Sequence, residues 1–346
     1  MWYNYLLKLI VLAFLLQSCV GNEAALTVGK TQVNLLDSSK AAMKIAIDTT
    51  DRFFDLLQSL EMCIQMQKNA NDCEDFKALP RNQQIAMYTQ YIKEDVKNFT
   101  LEEKQLLFRE MKIALDMVYS VFPKIPLPRE INLIKTESKY YGKSVFFTRE
   151  ENIVIPAPQI YIGNEKLLRA VLIHEIFHIY SRYNPQKKNE LFALIGFTPI
   201  DSIELSSFVK ERVLYNPDAT DYRYIIDLAI GEEKIQAIPI IYSNYKSYEK
   251  DRPFFQYIVF QLFPVVQKEN QPNIYTINVP NIGLDPAQIP DFKRKIGENT
   301  TYFIHPEEVL ADNFKLLVMA KGKTNKFPNP EIMQAMFSVI STFSGN

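Results

Sequence analysis

Residues 164–183 read as a helix that is apolar almost all the way round, yet the run carries His174, Glu175 and His178. A helix apolar on every side must be buried. Three ionisable side chains inside it are costly unless partners meet them. Positions i and i+4 share a helix face, so His174 and His178 can each turn a ring nitrogen to one cation. Glu175 sits one residue on from the first histidine, which places its carboxylate beside an open coordination position. There it can take a proton from water without itself ligating. The chain holds three histidines, and two of them occupy this motif. The structural alternative is a pair of core histidines satisfied by hydrogen bonds.

The rest of the sequence surrounds this run with an α+β pattern. Apolar periodicity marks helices within 38–70, over 81–96 and over 101–121, the last opened by a capping box at Thr100 and Glu103. Asn71 and Asp72 are expected to interrupt the first of them. Short β-branched or aromatic runs at 131–136, 144–148 and 152–155 read as strands, as do 223–230, 234–242, 254–267 and 274–279. Helices return at 306–320, which has Pro306 at its first position and Gly322 beyond its end, and at 330–343. With 346 residues there is length for a large core, and 39 Lys and Arg against 40 Asp and Glu leave a net charge of −1. That balance argues against nucleic acid as a partner.

The His174-Glu175-x-x-His178 run resembles the HExxH helix of zinc metallopeptidases, which implies one zinc per chain held by His174 and His178, with Glu175 as general base. Glu308 and Asp312 lie four apart on the helix expected over 306–320. Their arrangement resembles the glutamate-zincins (thermolysin-like gluzincin peptidases). The resemblance implies that Glu308 is the third zinc ligand and that Asp312 accepts the proton on the far ring nitrogen of His174. Glu308 also stands where capping and the helix dipole favour Glu, and Glu307 and His305 compete for the ligand position. His305, one turn before Glu308, is a poor partner for a capping box and a candidate donor to a developing oxyanion. Tyr302, Tyr222 and Tyr224 compete for that role. In such a fold an edge strand before the metal helix pairs with the substrate backbone, and 152–156 occupies that place, with Pro156 suited to an edge.

The N-terminus reads as an address. Lys8 and an unbroken apolar stretch over 9–16 form a signal segment, 1–18. Leu16-Gln17-Ser18-Cys19 resembles a bacterial lipobox, which implies a lipid on Cys19 and attachment to the membrane of the cell envelope. Export makes a disulfide between Cys63 and Cys73 the expected state. The expected organisation is therefore a signal over 1–18, a tether over 19–37 and a helical region over 38–122. A sheet with the HExxH helix over 123–185 follows, then a β-rich insertion over 186–300 and closing helices over 301–346. A zincin-like α+β core would carry the chemistry. The leading expectation is a membrane-anchored metallopeptidase acting on a peptide or protein. The alternative is an envelope lipoprotein with a structural or vestigial zinc site that binds a protein or a glycan.

Overall fold

The computed structural model describes residues 25–220, 222–250, 252–277 and 283–342. The signal segment and Cys19 lie outside the described residues. The fold is mixed α and β, as expected, and contains two sheets.

The first sheet has strands β1 (Ala25–Val28), β2 (Thr31–Leu35), β3 (Val96–Lys97), β4 (Glu130–Thr136), β5 (Phe147–Arg149) and β6 (Asn152–Pro156). Its order is β1-β2-β4-β6-β5, with β3 pairing the end of β4. Strands β2, β4 and β6 run parallel, while β1 and β5 are antiparallel to their neighbours. Residues 25–35, expected within a tether, are thus built into the sheet: Val33 and Leu35 are buried, and Val33 pairs with Ile131. Alternate residues serve two cores. Ile131, Leu133, Ile153 and Ile155 face one, and Ile134, Val154 and Phe147 face the other. Burial on both faces explains why these strands read as nearly continuous apolar runs. Across them runs an asparagine ladder: Asn34 Nδ2 donates to Asn132 Oδ1 at 3.0 Å, and Asn132 Nδ2 donates to Asn152 Oδ1 at 2.9 Å.

The expected edge strand is not the edge. β6 lies between β4 and β5, so β5 is the outer strand on that side. Pro156 is tolerated because it is the last residue of β6, beyond Val154, where the pairing with β5 stops.

The helices are α1 (Ser38–Ile45), α2 (Phe53–Leu56), α3 (Ser59–Gln65), α4 (Ala70–Lys77), α5 (Arg81–Glu94), α6 (Leu101–Val121), α7 (Glu165–Tyr183), α8 (Pro185–Leu194), α9 (Ser207–Lys210), α10 (Pro290–Ile296), α11 (Pro306–Met319) and α12 (Pro330–Ser341). The helix expected within 38–70 is three short ones. Asp48 ends the first by accepting the backbone N–H groups of Asp51 and Phe53, each at 3.0 Å, which offers the chain an alternative to helical bonds. Asn71 and Asp72, expected as a break, lie in the first turn of α4, where Asn69 caps the helix by accepting Asp72 N–H at 3.0 Å. The capping box of α6 forms as expected, and Glu103 also holds Lys135 of β4 at 2.7 Å.

The second sheet comprises β7 (Phe197–Pro199), β8 (Ser202–Glu204), β9 (Tyr224–Ile230), β10 (Glu233–Ser243), β11 (Ile258–Gln267) and β12 (Ile274–Ile277). Its order is β7-β9-β10-β11-β12-β8. The two outermost strands are separated in sequence only by Ile200 and Asp201, so the sheet begins and ends on consecutive strands of the chain. All six of these strands, with α9, α10 and most of α8, fall within residues 186–300.

Cys63 of α3 and Cys73 of α4 are joined, with Cα atoms 5.5 Å apart and both side chains fully buried. Closing so short a loop restricts the unfolded chain by about 3 kcal/mol. Replacing both cysteines by alanine should lower stability by roughly that amount in urea unfolding. No change would show that the bridge constrains nothing.

Candidate metal centre

Helix α7 lies between α6 and α11, and Leu172, Ile176 and Phe177 on it join Leu115, Leu310 and Phe314 in one core. Phe177 and Phe314 rings meet at 5.4 Å. This contact sets α7 against α11 in opposite directions, so that His174 meets Asp312 and Glu308 while His178 meets Glu307 and Glu308.

The geometry assigns a role to each residue. His174 Nε2 lies 3.0 Å from Glu308 Oε2, and His178 Nε2 lies 3.7 Å from the same oxygen. On its far side His174 Nδ1 is 3.0 Å from Asp312 Oδ1. A carboxylate only accepts, so Nδ1 carries the hydrogen and Nε2 faces the centre. Asp312 is itself held by Thr300 Oγ1 at 2.6 Å and by Lys315. Glu307, the competing ligand, instead backs His178: its Oε1 lies 3.4 Å from Nδ1, and its Oε2 accepts Ser181 Oγ at 3.0 Å.

His305 stands apart from the donor sets. Its Nδ1 accepts the Glu307 backbone N–H at 3.1 Å, which makes it the N-cap of α11, and its ring lies 6.4 Å from that of Phe192. No capping box forms with Glu308, but the imidazole nitrogen at this position reaches a free N–H of the first turn and caps the helix by itself. Of the three tyrosines, Tyr222 donates to Leu214 O and Tyr224 to Asn189 Oδ1, while Tyr302 lines the mouth of the site, its ring 6.4 Å from that of His174.

Two residues had no signal in the sequence. Asn216 and Asp218 come from the loop before β9. Asn216 Nδ2 donates to Glu308 Oε1 at 2.6 Å. Asp218 Oδ1 accepts Thr148 N–H at 2.6 Å and Thr148 Oγ1 at 2.7 Å, and Arg182 at the end of α7 holds that hydroxyl at 2.9 Å. Within the sequence, Asn216-Pro217-Asp218 reads only as a turn.

Two buried sets of side chains could hold a metal ion: His174, His178 and Glu308, and Glu175, His178 and Asp218. They share His178, whose Nδ1 is turned to Glu307, so its Nε2 can serve one ion in one of the two sets. Glu175 Oε2 and His178 Nε2 are among the buried polar atoms of the described residues that lack a hydrogen-bond partner. Each costs about 1–3 kcal/mol in that state. A cation at this point would answer both the bare nitrogen and the excess of carboxylates.

The charges reinforce one another. Burial opposes ionisation of Glu308, but the two imidazoles outweigh it and hold this carboxyl well below its usual range. Burial disfavours a charged His174, yet Asp312 and Glu308 push it up to about 9. Burial, assisted by Asp218, pushes Glu175 up to about 8. The site opens into a cleft of about 360 Å³, whose walls include Val145, Phe146, Val171, Phe255 and Tyr302. The residues just before the edge strand β5 therefore border it.

An imidazole held at about 9 carries a proton at neutral pH that a cation must displace from Nε2. Metal affinity should therefore rise with pH up to about 9, by about tenfold per pH unit for each proton released. Calorimetry at pH 7.5 in two buffers of different protonation enthalpy measures the release, and a value of zero would contradict this arrangement. No family model, curated protein or solved structure matches the chain, so its function is read from these residues.

Proposed function

We propose that this protein is a zinc-dependent peptide hydrolase, built on a zincin-like core of the glutamate type and anchored to the bacterial cell envelope through lipidated Cys19. The observation that carries the reading is the convergence of His174 Nε2, His178 Nε2 and Glu308 Oε2 beside a buried Glu175. Two imidazoles and one carboxylate are a donor set of catalytic zinc, which keeps a further position open. When bound there, zinc supplies a Lewis acid that polarises a carbonyl and makes water a nucleophile at neutral pH.

The chain's own residues do the rest. Asp312 fixes the His174 tautomer and Glu307 backs His178, the kind of support that orients ligands and raises their basicity. Glu175, buried beside the donors and lining the cleft, is placed to take the proton of the attacking water and return it to the leaving amine. Tyr302 at the mouth is placed to donate to the carbonyl oxygen as charge grows on it. Val145, Phe146 and Phe255 offer an apolar border for a peptide or protein substrate. Among the described residues no helix is long and apolar enough to cross a membrane, so the anchor rests on the sequence at Cys19.

A second reading has one observation in its favour. Asp218 forms a second buried three-residue set with Glu175 and His178, and an ion held there would take Glu175 as a ligand and leave no general base, which suits an envelope lipoprotein that binds a protein or glycan. Substitutions separate the two. Glu175→Gln should keep one zinc per chain and lose peptide hydrolysis by at least ~10³-fold, while Glu308→Ala should lose the metal. Asp312→Ala should weaken zinc by about 10–100-fold. Full zinc retention by Glu308→Ala would remove it as a ligand. Loss of zinc from Asp218→Asn and from Glu175→Gln, with Glu308→Ala unaffected, would establish the second set as the site.

A further inference from the structure

A glutamate can offer a cation one oxygen or two. The difference decides how much of the ion is left for water and substrate. Glu308 is almost fully buried, and its two oxygens are used differently. Oε2 faces His174 Nε2 at 3.0 Å and His178 Nε2 at 3.7 Å. Oε1 accepts Asn216 Nδ2 at 2.6 Å.

The amide of Asn216 cannot turn over without loss. Its Oδ1 accepts the Asp218 N–H at 3.0 Å, so the opposite end, which carries the N–H groups, must point to Glu308. A flipped amide would set oxygen against carboxylate and N–H against N–H. The loop that carries it is anchored in turn. Asp218 is held by the backbone and hydroxyl of Thr148 on β5, and Arg182 of α7 holds that hydroxyl. The loop before β9 therefore ties α11, the edge strand and the metal helix together at one point.

We infer that Asn216 is a positioning residue that holds Glu308 as a one-oxygen ligand and so keeps the metal site open. The inference rests on the proposed metal centre and goes beyond it, since three protein donor atoms remain only while Oε1 is occupied. Without the amide donor, Oε1 is free to swing toward the ion and take a second position.

The full chain loaded with Co²⁺ tests this, because the visible absorption of cobalt reports the number of its donors. The wild-type chain should show the intense band of a low-coordinate ion. In Asn216→Ala the band should weaken severalfold as Oε1 joins, and affinity for the metal should fall by about 10–100-fold, the usual size for loss of a residue that orients a ligand. Asn216→Asp keeps the shape of the side chain and an acceptor for Asp218 N–H but lacks the donor, and its band should change too. Thermal unfolding of the metal-free chains shows whether each variant is folded, so that the Asp variant decides if the Ala variant is not. A wild-type band and affinity in the folded variants would overturn the role of Asn216 while leaving the metal centre standing. Failure of the wild-type chain to take up Co²⁺ or Zn²⁺ would overturn the metal centre itself, and the inference with it.

Discussion

The pairing of two imidazoles on α7 with carboxylates on α11 is the interaction around which the structure is arranged. Ionisable groups at such depth cost several kcal/mol each unless their charges and hydrogen bonds are answered. Here His174 lies between Asp312 and Glu308, and His178 between Glu307 and Glu308. Each carboxylate is then held by a further group: Thr300 and Lys315 on Asp312, Ser181 on Glu307, Asn216 on Glu308. What remains is a nitrogen and an oxygen with no partner, at the point where the donors converge. A buried network is stable when every member is satisfied, and this one is complete but for the place a cation would fill.

The apolar packing serves that arrangement. Phe177 against Phe314, with Leu172 and Ile176 beneath, fixes the separation and the sense of the two helices. An error of one residue in their register would move His174 away from Asp312. The first sheet shares a core with α7, and its outer strand β5 brings Thr148 to Asp218. The loop that leads into β9 of the second sheet delivers the Asn216–Asp218 turn into the centre. The β-rich region, readable in sequence only as an insertion between α7 and α11, thus contributes a wall of the site.

The differences between sequence and structure have specific causes. The run at 164–183 was legible because a helix apolar on all sides admits polar residues only where partners meet them. Glu308 and Asp312 were singled out by their resemblance to the glutamate-zincin pattern, and Asp312 also because an aspartate on an otherwise apolar helix wants a partner; both lie beside His174. His305 was weighed as a ligand and as an oxyanion donor; that its Nδ1 accepts the Glu307 N–H depends on one backbone angle and one ring nitrogen, neither of which a residue type reveals. The edge strand was assigned to β6 because proline usually marks an edge, whereas a proline at the end of a strand breaks no ladder bond. Residues 25–35 look like a linker by composition, and only the partner strand β4 makes a strand of them.

By itself the amino-acid sequence determined that two histidines and a glutamate share a buried helix, that a second helix presents carboxylates at matching spacing, and that the body is α+β. These follow from local periodicity and from the cost of burying charge, which act along the chain. Tertiary structure alone decided which carboxylate oxygen faces which imidazole nitrogen and which strand borders the cleft. It also decided that Asn216 and Asp218 belong to the centre. Those choices depend on contacts between residues 70 to 138 positions apart, among them those of an asparagine and an aspartate whose side chains carry no periodic signal.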